Sequence, residues 1–302
     1  MSQIEPEVSF FTRYRKIING NIGIEIEVEP KKGKTLPIIN RGCWETKDEN
    51  SLRNGGKEYV TKSPLLYDKD YSKNINELTA SLNEKEVEVN SFRTSVHVHL
   101  NMTQKTLNEL WTIITCYWLM ENLLFKYCGE DRENNHFCLR LKDAEGVIKL
   151  VDTALEYSSP FCQFIDSYRY GGLNLSALYK FGSLEFRGMR GSVSEGEIRT
   201  WSSALYEMSE LSTTFFRSPQ EVLDYYYNNS VDKIIDMLFP LYLNKFLKSL
   251  DKKKDLVDEN AYRLLGIAYK HNWNSYAMLM QKCIANQKKS SNSYYARMPN
   301  FL

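Results

Sequence analysis

Three short segments of this chain alternate apolar residues with ionisable ones. In Gly23-Ile24-Glu25-Ile26-Glu27-Val28-Glu29 the isoleucines and the valine interleave with glutamates. A strand sends successive side chains to opposite faces. The apolar set therefore turns to a core, and the carboxylates share the other face about 6.6 Å apart, two strand rises. Carboxylates so placed repel unless they meet water or a cation, so they form either a solvated amphipathic strand or a bridge for hard divalent ions. In Ser95-Val96-His97-Val98-His99-Leu100 two of the chain's four histidines share a face, as ligands or as structural groups. In Gly182-Ser183-Leu184-Glu185-Phe186-Arg187 the acid and the base lie together. They are an ion pair on a wet strand, or a carboxylate for a metal beside a planar fork for a phosphate. Glu58, between Gly55-Gly56 and Ser63-Pro64, carries no signal by itself.

These residues need strands to hold them. Period-two alternation predicts strands over 22–29 and 94–100, with further strands over 42–47, 56–61, 172–176 and 183–187, and turns at Asn54-Gly55-Gly56. Tyr71, Ile75, Leu78 and Leu82 mark a helix over 68–85. Thr103 is the expected N-cap of a long helix whose apolar face runs through Leu107, Leu110, Ile114, Tyr117, Trp118 and Leu124. The pattern is indistinct from the polar loop at 130–135 to about 168. Gly188 to Gly196 reads as a loop, and Ser194 with Glu197 as a capping box for a helix over 198–216. From Pro219 helical periodicity dominates, with helices near 219–228, 231–250, 259–271 and 273–287 and a charged break at 251–255. The residues from Ser290 read as a tail. The division expected is a main domain over 1–218 and a helical C-terminal region over 219–302, which carries none of the chemical segments and has a scaffolding, substrate-selecting or oligomerising role.

The ordered combination says more than any member. An acid-rich strand, Gly-x-Glu before Ser-Pro, His-x-His, Asn-Leu and Leu-Glu-Phe-Arg follow one another between residue 22 and about residue 201. This set resembles the amidoligase family, relatives of glutamine synthetase and glutamate–cysteine ligase. In glutamine synthetases a Glu-x-Glu strand, a His-x-His strand and a Glu-x-Arg strand line one nucleotide and metal funnel. The resemblance implies an α+β fold, a glutamine-synthetase-like curved antiparallel sheet backed by helices, here with a C-terminal helical appendage. It implies an ATP-dependent ligase joining a carboxylate to an amine through an acyl phosphate, with two or more Mg²⁺ or Mn²⁺ ions. On this resemblance Glu25 and Glu27 are ligands to two different ions, and Glu58, His97 and Glu185 complete the metal set. His99 lies beside the ATP phosphates, and Arg187 neutralises the transferring phosphoryl group. Arg132 resembles an arginine near substrate or phosphate, and Arg169 and Asn174 match family positions. The family's Trp…Asp-Gly-Ser-Leu segment corresponds to Trp44 through Leu52, where Asp48 or Glu49 fills the acidic role. No Gly-rich phosphate loop occurs, as expected if strand side chains hold the nucleotide. Carboxylates with His-x-His can also activate water, so a metal-dependent hydrolase of amide or phosphoester bonds is the first rival. A non-catalytic nucleotide- or metal-binding protein on a decayed ligase scaffold is the second.

Composition narrows the classes. A chain of 302 residues with 42% hydrophobic residues can bury a substantial core. Its 39 basic and 38 acidic residues nearly cancel, which argues against general nucleic-acid binding. No apolar run approaches the ~20 residues of a membrane span. Met1 to Arg15 lacks the apolar core of a signal peptide. The six cysteines show no two-residue spacing and sit largely in apolar runs, as free thiols in a reducing compartment do. The expectation is a soluble cytoplasmic enzyme whose partners are an acid and an amine, with homo-oligomer formation open.

Overall fold

The computed structural model describes residues 7–13, 15–67, 69–82, 86–156 and 170–271. Strands β1 (Ile22–Pro30), β2 (Trp44–Asp48), β3 (Lys57–Thr61), β4 (Val87–Glu88), β5 (Ser95–Asn101), β6 (Leu173–Asn174) and β7 (Ser183–Arg190) form one seven-stranded sheet. Its order is β2-β3-β1-β5-β7-β6, with β4 on the end of β1, and every pairing between these strands is antiparallel. The strands that carry ionisable residues are thus neighbours. Registers Glu27 to Glu58, Glu25 to His97 and His99 to Glu185 line those side chains up across the sheet.

The apolar parity, Ile24, Ile26, Val96, Val98, Leu184 and Phe186, is fully buried against helices. Helix α2 (Leu107–Cys128) packs under β7, with Tyr117 edge-on to Phe186 at 4.8 Å between ring centroids. Helix α6 (Glu195–Phe215) packs under β5, and α1 (Lys69–Ser81) packs on α6, where the Tyr71 hydroxyl donates to Ser202 Oγ. Described residues 130–156 hold α3 (Glu130–Glu133) and α4 (Glu145–Glu156), followed in sequence by α5 (Ser176–Phe181) between β6 and β7. The result is a mixed α/β structure with ten α-helices among the described residues.

Several expected boundaries move, each for a local reason. The long helix is capped by Thr106, not Thr103. Thr106 Oγ1 accepts the Glu109 N–H and the Glu109 carboxylate accepts the Thr106 N–H, a complete capping box. Thr103 instead accepts the Ile18 N–H. The expected loop from Gly188 is strand as far as Arg190, because a bulge in β7 keeps the chain paired with β5. Ser194 is the N-cap but no capping box forms: its side chain makes no capping bond, its N–H goes to Ser192 Oγ (3.0 Å), and the Glu197 carboxylate accepts from Ser192 and Arg190. The helix expected over 231–250 breaks at Pro240 into α8 (Val231–Leu238) and α9 (Leu241–Ser249), and α10 begins at Lys253, within the charged segment, and runs to Lys270. The expected helix over 273–287 and the tail lie outside the described residues.

Helices α7 (Pro219–Asn228), α9 and α10 cover the side of α2 away from the sheet. This is why α2 is buried around nearly its whole circumference. Two asparagines fix the contact: Asn260 Nδ2 donates to the Trp118 carbonyl (2.7 Å) and Asn122 Nδ2 to the Leu256 carbonyl (3.1 Å). Asn260 is fully buried, so Asn260→Ala removes an interior hydrogen bond that ties α10 to α2 and leaves a small void. It is expected to lower stability by about 1–3 kcal/mol in chemical denaturation. Divalent-ion binding at the sheet should survive that change.

Candidate active site

The site is one face of the central strands. Gly56 sets its outer edge: a Cβ there would stand 2.5 Å from Leu52 Cβ and 2.9 Å from the Val28 carbonyl, so only glycine lets the chain cross the end of β1 and enter β3 with Glu58 on the ionisable face. At the centre, Glu25 reaches both imidazoles. Its Oε2 lies 3.2 Å from His97 Nδ1 and its Oε1 lies 3.1 Å from His99 Nε2. Glu185 Oε1 lies 3.5 Å from His97 Nδ1 and pairs with Arg187 Nη1, and Asn174 Nδ2 donates to Glu185 Oε2 (2.7 Å). Glu25, Glu58, His97, His99, Glu185, Arg187 and Asn174 therefore come together.

Arg187 owes its aim to the bulge. Between Val96 and Val98 the register slips, so Arg187 and Gly188 together oppose His97. A bulge removes ladder partners, and here Arg132 replaces them. Arg132 is 2% exposed; its guanidinium donates to the carbonyls of Arg187 (2.8 Å), Gly188 (3.1 Å), Phe92 (3.4 Å) and Thr94 (3.4 Å). The structure thus places Arg132 behind the site, supporting Arg187 through backbone. Arg169 lies outside the described residues. In the Trp44 to Leu52 segment, Asp48 pairs with Lys57 at the sheet edge, while Glu49 accepts the Ser51 N–H (2.9 Å) and its charge acts on Glu58.

Two serines escaped the sequence reading, although both share the alternating parity. Ser95 Oγ lies 2.7 Å from His97 Nε2 and donates to Glu27 Oε2, while Ser183 Oγ lies 2.9 Å from His99 Nδ1. Ser95, His97 and Glu25 have the order of a nucleophile, a base and its orienting acid. Ser95, however, is 2% exposed at the sheet floor and its proton goes to Glu27, so it orients rather than attacks. Ser183 Oγ holds His99 at Nδ1, which turns Nε2 toward the cluster, 3.1 Å from Glu25 Oε1.

The electrostatics point the same way. Burial, then the charges of Glu25 and Glu27, push the Glu58 carboxyl up to about 9. Burial also works against ionised Glu25, yet the charges and hydrogen bonds of His99 and His97 hold its carboxyl well below the usual range. Glu185 is lowered against burial by Arg187 and then His99, and the Arg187 guanidinium is raised against burial by Glu185. Burial disfavours the His99 cation, but Glu25 overrides it and raises His99. Four carboxylates thus share two imidazoles and one guanidinium, and at Glu58 burial and the charges of Glu25 and Glu27 outweigh the opposing charge of Lys47 across the strand pair.

Two groups of donors could hold ions: Glu25, His99 and Glu185, and Glu25, Glu58 and His97, with ligand atoms within 4.8 Å of one another in each. Glu25 belongs to both. Glu27, expected as a ligand, lies beside Ser95 and 3.6 Å from His97 Nε2, outside either group.

The model of a family described as "Putative amidoligase enzyme" matches residues 56–205. That span holds Glu58, both histidines, Arg132, Asn174, Glu185 and Arg187, while Glu25 and Glu27 precede it and join the site through sheet register. No curated protein matches the chain.

Proposed function

This chain belongs to the amidoligase family, and from that membership we propose that it is an ATP-dependent carboxylate–amine ligase, forming an amide of the peptide or isopeptide kind through an acyl phosphate with Mg²⁺ or Mn²⁺ bound. The observation that carries this reading is the pair of three-donor groups that share Glu25. Mixed carboxylate and imidazole donors suit Mg²⁺ and, with nitrogen present, Mn²⁺. The buried Glu58 carboxyl, crowded by the charges of Glu25 and Glu27, fits a cation. On this reading Glu25, His99 and Glu185 hold one ion and Glu25, Glu58 and His97 another. The sheet is then the glutamine-synthetase-like one that the resemblance implies.

Bound ions neutralise phosphate charge and polarise phosphoryl oxygens. The chain's own residues supply the rest. Arg187 meets the transferring γ-phosphoryl group with two parallel N–H donors. Ser95 and Ser183 fix the imidazoles, and Gly23 lets Thr61 and His99 pack closely across β1, where a Cβ would stand 3.3 Å from Thr61 Oγ1 and 3.4 Å from His99 Cβ. A substrate carboxylate oxygen attacks the γ-phosphorus and ADP leaves. The amine then attacks the acyl carbon, and phosphate departs with the former carboxylate oxygen. ADP formation is expected to require divalent ion, acid and amine together. ATP-independent cleavage of an amide or phosphoester would favour the hydrolase rival.

Proton linkage gives a second test. Glu58 must lose its proton to become a ligand, so Mn²⁺ affinity is expected to rise with pH toward about 9, with proton release in calorimetry at neutral pH. A carboxyl raised on folding stabilises the metal-free protein below about 4.5, and that contribution is lost as pH climbs through about 9. The thermal stability of chelated protein should therefore fall relative to Mn²⁺-loaded protein across that window. A pH-independent difference would remove Glu58 from the ligand set.

A further inference from the structure

We propose that an arginine–aromatic shelf beside the cluster binds a second carboxylate of the acid substrate, so that the enzyme takes diacids; this rests on the ligase reading above. Phe92, in the loop entering β5, is 40% exposed, and two guanidiniums converge on its ring. Arg53 Cζ lies 5.3 Å and Arg93 Cζ 5.1 Å from its centroid, and Arg93 is also 5.8 Å from the Phe137 ring. Like charges gathered on one ring repel, and an anion between them relieves this.

Neither guanidinium has a carboxylate partner among the described residues. The acids on the two loops accept backbone N–H groups instead, Glu29 that of Arg53 (2.7 Å) and Glu88 that of Asn90 (2.7 Å). Arg93 is braced by donating from Nη1 to the Ser51 carbonyl (2.6 Å), while its Nε is buried without a hydrogen-bond partner. The shelf is therefore preorganised, positive and short of an acceptor.

It also adjoins the chemistry. The Phe137 ring stacks on Phe92 at 6.2 Å, and the Phe137 carbonyl lies 3.5 Å from Arg187 Nε. Ser95, three residues beyond Phe92, donates to Glu27. The cluster itself is rich in glutamate, and a lone carboxylate approaching it meets repulsion. A remote carboxylate held on the arginine pair supplies the attraction and orients the reacting end.

Binding can be read without turnover, by calorimetry on Mg²⁺-loaded protein. The probes are glutarate against butyrate and alanyl-glutamate against alanyl-glutamine. Each diacid is expected to bind the parent more tightly than its monoacid partner, and Arg53→Gln or Arg93→Gln to weaken the diacid roughly tenfold or more. Monoacid and MgATP binding should not change. Arg53 is exposed, so its variant is expected to melt like the parent and keeps the test valid if Arg93→Gln disturbs the loop. Diacids that bind no better than monoacids, or equally well to parent and Arg53→Gln, overturn the proposal. Weakened MgATP with unchanged diacid binding overturns it too and assigns the shelf to the nucleotide. Failure of the ligase reading shows separately, as absence of ADP formation from any acid and amine.

Discussion

Arg187→Ala is expected to lower turnover on the order of 10³-fold or more while leaving ATP affinity nearly unchanged, as removal of an arginine finger does in phosphoryl transfer. The guanidinium sits where the β7 bulge aims it, paired with Glu185 and 3.5 Å from His97 Nδ1. Charge on the transferring group develops in the transition state, so the contact contributes mainly there and kcat falls more than KM rises. Arg187→Lys should recover only part of the loss, because a point charge cannot reproduce the two parallel donors. The measurement is steady-state ADP formation for the three proteins. An Arg187→Ala variant that turns over normally would reduce the arginine to an ion-pair partner for Glu185.

Glu25→Ala is expected to abolish both activity and binding of divalent ions at either group, since it removes a donor from both at once. Saturating metal at one hundred times its dissociation constant stabilises a folded protein by about 2.7 kcal/mol, and that increment should vanish in the variant. Glu27→Ala is the control. The family resemblance implies that Glu27 is a ligand; its carboxylate accepts from Ser95, so its loss should weaken metal binding less than loss of Glu25 does. Thermal melting of the parent and both variants, with chelator and with Mn²⁺, ranks them. Equal metal-induced shifts for Glu25→Ala and the parent would refute the shared-ligand arrangement.

Much of this site was legible because strand parity is a strict code. Glu25, His97, His99, Glu185 and Arg187 were assigned to one kind of face, and the register then laid those faces side by side. Ser95 and Ser183 obey the same parity, but an uncharged hydroxyl on a strand carries no chemical signal in the sequence by itself. Glu58 was visible only through the family resemblance, since its strand shows no clean alternation: Tyr59 and Val60 are both buried. The bulge opposite His97 left no mark, for a bulge is a relation between two strands, and without it the work of Arg132 on freed carbonyls could not be foreseen. The cap at Thr106 is readable from Glu109 three residues on, but Thr103, three residues earlier in the chain, offers the same side-chain chemistry. The burial of α2 by α10 depends on contacts between residues more than a hundred positions apart, which local periodicity does not encode.

The claim that this site joins acid to amine through an acyl phosphate is tested most directly by following oxygen. Pools of ¹⁸O-labelled carboxylic acids and of amines are incubated with enzyme, ATP and Mn²⁺, and the products are weighed by mass spectrometry. The account predicts a new amide mass, ADP in equal amount, and label from the acid in the released phosphate, all lost in Glu25→Ala. Amide formation with unlabelled phosphate, or product release that proceeds without ATP, would contradict it.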